Sequence, residues 1–416
     1  MVLCAALLFA GAGCASWPRR WSARPCCIDT KPVVRRQPIW WHLFDVTVLE
    51  PVEQPFTLVR PARKLLGTPT RALNLRHGEL TGSAFFTNRD PAGLTPEQVR
   101  WGPSTPEDAP AAPMTITKAK MEGKTAGFFV TDARGARYLF KLDPVDAPEL
   151  LSGAEAVTSK LLYALGYHVP SYEVARVRPE DLRLADGAQG MDAASLDALL
   201  LARVERGTVR VSASRLLEGE ILGPAKFKRF RDCADVRALR LAYGWVNNID
   251  AKDHNSLLVW NGKETVGYLI DFGTSLGADA GTGGPKHPCA GRLNTVDMRE
   301  LGLKLVTLGQ HHPPCDYESP DVSPGVGRFS ARFDPEHWKP YAPNLAFKEM
   351  NDDDARWMAR RMARLSAAQV EAAVSAGRYS HAGDAAYLVA TLEARREAII
   401  RRYLTPEDAN TSKEGR

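Results

Sequence analysis

Four polar residues near the middle of this 416-residue chain have types and spacing that suit one chemistry: Asp250, Lys252, Asn255 and Asp271. The first three share a short loop, Asn247 to Asn255, that leads into an apolar strand, Ser256 to Val259. A second apolar strand, Gly267 to Ile270, runs into Asp271-Phe272-Gly273, and Asp271 comes sixteen residues after Asn255. Asn255 and Asp271 therefore sit at the ends of adjacent strands and can bring two oxygen donors to one hard cation. Asp250 can point at an incoming hydroxyl, and Lys252 can steady negative charge moving towards it. That set suits phosphoryl transfer, in which charge gathers on phosphate oxygens and Mg²⁺ neutralises it.

The chain upstream offers the groups such a site would need. Lys141 lies in Tyr138 to Leu142, flanked by apolar residues on an expected strand. A Lys there is costly to desolvate unless it is paired. Glu155 follows fourteen residues later on an expected helix and is the natural partner, with Glu149 the weaker candidate. Protein kinases use the same order: a base Asp, a Lys two residues on, a metal-binding Asn five residues on, a strand, then Asp-Phe-Gly. They also hold nucleotide phosphates with a strand Lys positioned by a helix Glu, the places taken here by Lys141 and Glu155. Asp-Phe-Gly alone is a weak signal, whereas the whole order is much stronger. The plainer alternative is a pair of Asp- and Asn-rich turns.

The elements that must position these residues can be read from periodicity. Residues 114–120, 127–131 and 137–141 read as three strands with tight turns between them. The loop from Met121 to Gly127 stands where a kinase has its Gly-rich loop, so Gly123 and Gly127 are candidate nucleotide contacts, although the full G-x-G-x-x-G pattern is missing. Gly123-Lys124-Thr125 does not complete a P-loop, because position 118 is Lys and a strand follows. Leu151, Ala154, Val157, Leu161 and Leu165 have helical spacing, and Gly166 stops that helix. With strands near 169–177 and 208–217 and a short helix at 193–203, residues 114–222 read as a mostly antiparallel sheet with one prominent helix. The remainder reads as helical. Asp235 caps one helix, Asp352 to Asp354 open another, Ser366 and Gln369 form a capping box, and Asp384 caps the last. The Arg-rich face of that last helix (Arg395, Arg396, Arg401, Arg402) reads as solvated. Residues 41–113 show only short β-like runs, at 44–49 and 56–59.

Residues 114–276 resemble atypical kinases of the broad group containing HipA-type bacterial kinases and phosphoinositide kinases. These share the Asp-to-Asn spacing and the later metal-binding Asp without a His-Arg-Asp triplet. Ile249 stands at the Arg position here, and no Ala-Pro-Glu signature follows Asp-Phe-Gly. More of the chain is similar to a family of exported bacterial kinase-like proteins, through Phe85–Arg89, Asn248–Lys252, Tyr268–Gly273 and Leu392–Arg396. The resemblance implies an α+β, two-lobed protein-kinase-like fold: an N-terminal extension over 41–113, a β-rich N-lobe over 114–222 and a helical C-lobe over 223–405. It implies an enzyme that uses ATP and Mg²⁺ to move the γ-phosphate to an unknown hydroxyl acceptor, protein or small molecule. Asp250 and Lys252 would be catalytic, Asn255 and Asp271 would bind metal, and Lys141, Glu155, Gly123 and Gly127 would hold nucleotide; residues 216–220 would lie near the adenine. A catalytically silent nucleotide-binding or interaction module and a nucleotidyl transferase on the same fold are the alternatives.

Composition sets the outer bounds. With 44% hydrophobic and 25% charged residues the chain is neither disordered nor fibrous. No apolar run approaches the roughly 20 residues of a membrane-spanning helix. A net charge of +5, from 54 Lys and Arg against 49 Asp and Glu, is too balanced to argue for nucleic acid, and none is expected as a partner. Two matches to other chemistries are weaker. Gly273 to Gly277 fits G-x-S-x-G but lacks the helix a Ser275 nucleophile would need. His287, Cys289, His311, His312 and Cys315 could gather zinc, but a Cys289–Cys315 disulfide or a plain loop suits their spacing better.

Residues 1–16 read as a lipoprotein-type signal: Val2 to Ala12 is apolar and small, and Gly13-Cys14 follows. A basic linker at 17–40 carries six Lys and Arg against Asp29, and a polar tail closes the chain at 406–416. The expected location is the cell envelope, with the membrane reached through a lipid on Cys14; failure of the signal would leave the chain in the cytoplasm. Metabolic labelling with palmitate tests this directly. Label should appear on the expressed protein and vanish in Cys14→Ser, whereas a soluble product that keeps Met1 would overturn the assignment.

Overall fold

Ahead of its first long strand the chain is helical at Phe44 and Val59, the outer ends of two runs that the sequence suggested as short strands. The computed structural model describes residues 28, 31–32, 39–45, 49, 59–121, 123–294, 298–312, 315 and 318–405. In it, Phe44 ends α1 (Ile39–Phe44) and Val59 opens α2 (Val59–Leu65). β-branched and aromatic residues make a strand only where a neighbouring edge can pair with them. Among the described residues of this stretch, one ladder forms, β1 (Leu75–Arg76) with β2 (Glu79–Leu80), across a turn in which His77 and Gly78 both have positive φ, and Phe86 adds a single antiparallel bridge to Tyr167. α3 (Pro96–Trp101) starts at a Thr95–Gln98 capping box. Residues 1–16 with Cys14, most of the 17–40 linker, the runs at 46–48 and 56–58, and the tail 406–416 lie outside the described residues.

The main sheet follows the alternation read from the sequence. β3 (Met114–Ala119), β4 (Gly127–Thr131) and β5 (Arg137–Leu142) pair antiparallel in series. α4 (Leu150–Leu165) then crosses the sheet and ends at Gly166, whose φ of 116° suits a residue without a Cβ. The sheet is completed by β6 (Tyr172–Val177), β7 (Leu182–Gln189), β8 (Val204–Glu205) and β9 (Thr208–Arg215), with α5 (Ala193–Leu201) between β7 and β8. Its strand order is β6-β9-β5-β4-β3-β7, with β8 attached to β9. β7 pairs parallel with β3, Met114 opposite Leu182, and the sequence did not announce it. Only its first three residues alternate, and Gly187 interrupts the rest.

A second, three-stranded sheet carries the loop chemistry: β10 (Glu220–Gly223), β11 (Ser256–Trp260) and β12 (Thr265–Leu269), with α6 (Ala234–Trp245) between the first two. Two minimal strands, β13 (Ala278–Asp279) and β14 (Gly284–Pro285), follow, then α7 (Met298–Val306), α8 (Leu345–Lys348), α9 (Asp352–Ala363), α10 (Ala367–Ser375) and α11 (Ala382–Tyr403). The result is an α+β fold of mixed sheets and helices. One core cluster lies on the face of the main sheet, around Ile116, Phe128, Phe140 and Leu196. The larger one packs α4, through Val157, Leu161 and Leu165, together with α6, α9, α10 and α11.

Several acids expected as helix caps do other work. Cys233, not Asp235, occupies the N-cap position of α6. Asp235 is fully buried within the first turn and accepts bonds from Asn74 Nδ2 (2.7 Å) and Ser83 Oγ (2.5 Å), so the upstream segment reaches over to close this helix end. Burial pushes its carboxyl above the ordinary range. Asp384 likewise lies inside α11 and accepts from Ser323 Oγ, while Asn351 with Asp354 caps α9. The Ser366–Gln369 capping box forms as expected. Arg395 is not on a solvated face: it is buried and donates to Gly244, Trp245 and Ser330 carbonyls, over the ring of Phe333.

Asp354 supplies a test of this interior. It is fully buried beside Arg237, and burial outweighs that cation, raising its pKa to about 6. The unfolded value is about 3.9, so between these limits the folded chain binds a proton the unfolded chain has released. The group's stabilising contribution is therefore complete below about pH 4 and is lost as pH rises through about 6. Urea unfolding of the native chain and Asp354→Asn should show it: from pH 4 to 6 the native protein should lose stability relative to the variant, by an amount on the order of 2–3 kcal/mol. Parallel curves would place the titration elsewhere.

Candidate functional site

Lys141 is delivered by β5 into the middle of the main sheet, and a row of small or paired residues makes room for it. Its cross-strand neighbours are Gly127 on β4 and Ser212 on β9. A Cβ on Gly127 would collide with the Phe140 carbonyl oxygen, so this glycine is required by the close approach of β4 and β5. Lys141 Nζ, with the residue only 6% exposed, donates to Glu155 Oε1 on α4 and to Asp271 Oδ1 at 2.8 Å. Ser212 Oγ donates to the other Glu155 oxygen at 2.5 Å. Three elements thus converge on one ammonium.

The electrostatics follow from that geometry. Burial alone would pull the Lys141 pKa down, but Asp271 and Glu155 together hold it well above the usual lysine value. Glu155, 1% exposed, is pushed up by burial and by Asp271 more than Lys141 can lower it. Asp271 keeps 41% of its side chain accessible. Partial burial pulls its carboxyl up, and Lys141, Lys252 and Lys120 overcome that and hold it below the usual carboxylate range. Lys120 comes from the β3–β4 hairpin, where its Nζ donates to the Thr125 carbonyl at 3.0 Å. Gly123 sits in the same hairpin with φ of 74°, a left-handed turn position.

Asp271 is itself held in a left-handed conformation, φ 61°, which a short polar residue tolerates better than others. Its backbone N–H donates to the Tyr172 hydroxyl (3.1 Å), and the Tyr172 ring packs on the fully buried Phe272 at 5.5 Å between centroids. The turn therefore fixes Phe272 inside and leaves the Asp271 carboxylate facing Lys141.

The preceding loop is tied to the same region. Asn255 Nδ2 donates to the Asp250 carbonyl (2.8 Å), and the Asn255 carbonyl accepts the Ile270 N–H (3.0 Å), one residue before Asp271. Lys252 Nζ lies 2.5 Å from Asp250 Oδ2. Thr274 Oγ1 donates to Asn248 Oδ1, joining the loop to the segment after Asp271-Phe-Gly. Lys286, fully buried, donates to the carbonyls of Asn247 (2.5 Å) and Leu276 (2.6 Å) and clamps the two segments together. Burial among carbonyls pushes its amine well below the usual lysine value.

Sequence reasoning missed Tyr172, Ser212 and Lys286. Tyr172 and Ser212 lie on strands recognised only as apolar patterns, and Lys286 sits in a Gly- and Pro-rich loop with no periodicity. Glu149 does not reach Lys141; it precedes α4 in a left-handed conformation and accepts the Ser380 N–H. Ser275 is fully buried, so it offers no exposed nucleophile. Cys289 and Cys315 form a disulfide, which removes both sulfurs from any zinc set. Leu216 continues β9 by donating to the Arg137 carbonyl, and Glu220 opens β10 in an ion pair with Lys31.

No family model matches the chain, and neither does any curated protein. Among solved structures, the crystal structure of a Helicobacter pylori proinflammatory kinase, CtkA, aligns with a TM-score of 0.38 and 9% identity, over 71% of this chain and 98% of that one. The likeness is distant and concerns fold alone.

The ion pair at the centre can be weighed by mutation. Lys141→Met keeps the apolar stem but strands Glu155 without its cation, and should cost about 3–5 kcal/mol in urea unfolding. Lys141→Met/Glu155→Gln removes both charges while leaving Ser212 an acceptor, and should recover at least about half of that loss. Equal destabilisation of the single and double variants would show that packing, not charge, holds this position.

Proposed function

We propose that the chain is an atypical kinase-fold phosphotransferase that uses Mg-ATP and passes the γ-phosphate to a hydroxyl acceptor, protein or small molecule. The observation that carries this is the meeting of Glu155 and Asp271, 14 and 130 residues from Lys141 in sequence, at the buried Lys141 ammonium. In this reading residues 114–222 form a β-rich lobe and 223–405 a helical lobe. The distribution of elements supports it, since the seven-stranded sheet lies within the first range and α6 to α11 within the second.

The donor set suits magnesium. Asn255 commits its amide nitrogen to Asp250, which leaves Oδ1 as the atom for a hard cation. Asp271 commits one oxygen to Lys141 and remains 41% accessible. Among the described residues no three His, Cys, Asp or Glu side chains gather as a metal site. Two protein oxygens completed by phosphate and water oxygens is the usual way Mg²⁺ is held beside a nucleotide. Bound there, Mg²⁺ would neutralise charge on the phosphates. Lys141 holds phosphate oxygens, and Glu155, kept in place by Ser212, aims Lys141. Asp250 orients the acceptor hydroxyl and takes its proton, and Lys252 steadies the group in transfer. Gly123 and Gly127 belong to the hairpin over the phosphates, with Lys120 beside them.

An envelope location is part of the proposal, with Cys14 as the lipidated residue. The Cys289–Cys315 disulfide supports it, because such bonds persist in oxidising compartments. Among the described residues no helix is long and apolar enough to cross a membrane.

Two aspartates separate a working enzyme from a silent scaffold. ATP at 100 times its dissociation constant should stabilise the fold by about 2.7 kcal/mol, enough for a thermal shift. Asp271→Ala should lose most of the Mg²⁺-dependent part of that shift. Asp250→Ala should keep it and slow transfer by about 10²–10⁴. Transfer of label from γ-labelled but not α-labelled ATP identifies a kinase, and the reverse identifies a nucleotidyl transferase. Absence of any shift with purine nucleotides and Mg²⁺ or Mn²⁺ would overturn the nucleotide site.

A further inference from the structure

α1 exposes Trp40, Trp41 and Phe44, with 64%, 41% and 42% of their surface open. The rings touch one another: Trp40 and Trp41 pack edge to face at 5.6 Å between centroids, and Trp41 meets Phe44 at 5.7 Å. Single exposed aromatics are ordinary on a protein surface, but three in contact make an apolar patch that marks an interaction site.

Three ties fix this segment on the body. The Ile28 carbonyl accepts the Thr265 N–H of β12, Lys31 pairs with Glu220 of β10, and Asp45 lies 3.6 Å from Lys226. Lys226 opens the run Lys226-Phe-Lys-Arg-Phe-Arg231. Its two rings, Phe227 and Phe230, are buried, while Lys226, Lys228, Arg229 and Arg231 remain at least partly exposed. On the other side in sequence, residues 17–40 add Arg19, Arg20, Arg24, Lys31, Arg35 and Arg36. The aromatic helix therefore follows one basic stretch in sequence, and the Asp45–Lys226 contact sets the end of its segment beside the start of a second.

We propose that this face docks on a bilayer rich in anionic lipid, with α1 lying in the interface plane. Trp rings favour the boundary between headgroups and acyl chains, where one edge is apolar and the other wet. Basic residues beside them gain from the negative surface potential of anionic headgroups, an attraction that reaches about one Debye length. The sign of the flanking charge selects an anionic partner, and the clustered rings select one with an apolar interior, which a bilayer combines. The surface rests on the envelope part of the reading above, but it uses neither the Cys14 lipid nor the nucleotide site.

Vesicle flotation tests it with the full chain carrying Cys14→Ser, so that no lipid is attached. The protein should float with vesicles of phosphatidylcholine and phosphatidylglycerol, much less with phosphatidylcholine alone, and less as salt is raised. Trp40→Ser/Trp41→Ser/Phe44→Ser should weaken binding at least about tenfold. Lys228→Glu/Arg229→Glu, which keeps the rings, should weaken it by about the same factor on the anionic vesicles only. Each variant is compared with its parent in melting midpoint, so loss of fold is seen separately. Binding of either variant equal to the parent's would overturn the proposal, as would equal binding to neutral vesicles. So would ring-dependent dimerisation without flotation, which would mean that a second copy covers the patch. No nucleotide enters the experiment: flotation without any ATP shift sinks the phosphotransferase alone, and an ATP shift without flotation sinks this surface alone.

Discussion

A buried ammonium, Lys141 Nζ, has to be neutralised, and much of the architecture serves that need. Removing a cation from water costs several kcal/mol unless opposite charge and hydrogen bonds replace the lost hydration. Glu155 and Asp271 supply them, and each arrives on a different element. α4 must therefore lie against β5, and the turn after β12 must come up to the main sheet. Ser212 fixes the second oxygen of Glu155, and Gly127 lets β4 approach closely behind Lys141. Tyr172 holds the Asp271 backbone in its left-handed turn. Of the two carboxylates around this ammonium, Asp271 is the accessible one, and it is where a metal ion is proposed.

The same logic recurs with other buried cations, and it explains what residues 59–112 do. Lys160 of α4 is fully buried and bonds the Trp101 carbonyl, Ser104 and Glu173. Arg361 of α9 reaches the carbonyls of Leu165 and Arg89 and the side chain of Asn88. Arg237 of α6 donates to the Thr70 carbonyl, and Gln369 of α10 donates to the carbonyls of Pro91 and Leu94. The segment before the main sheet is thus a strap laid across α4, α6, α9 and α10, held by cations and amides that satisfy its loop carbonyls. Many of the basic residues counted in the composition work in the interior, so the small positive net charge says little about the surface.

A second group of ties concerns the loop from Asn247 to Asn255. Its start and the segment after Asp271-Phe-Gly both bend through left-handed residues, Asn247 at φ 50° and Leu276 at φ 49°. Such positions persist only where surrounding contacts over-determine them. Lys286 bonds the carbonyls of both residues, Trp338 Nε1 donates to Asn247 Oδ1, and Arg395 caps the end of α6 just before. The residues proposed to meet substrate therefore stand on a loop braced from beneath by two buried cations.

The sequence by itself determined the elements whose signals are local. Alternation placed strands at 114–120, 127–131 and 137–141, within one residue of the observed ends, helical spacing placed α4, and Gly166 marked its end. The contact between Lys141 and Glu155 was also legible, because a strand, a short connection and a helix bring residues fourteen apart together. Tertiary structure alone decided the third member of that cluster, Asp271, which lies 130 residues from Lys141 and meets it only when the second sheet docks. It also decided the parallel β3–β7 pairing, the helical fate of Phe44 and Val59, and the burial of Asp235, Asp384 and Arg395. The physical reason is common to these cases. Periodicity and capping preferences report what a segment favours in isolation, whereas the partner of a desolvated charge or an unpaired strand edge is set by whichever distant segment packs beside it.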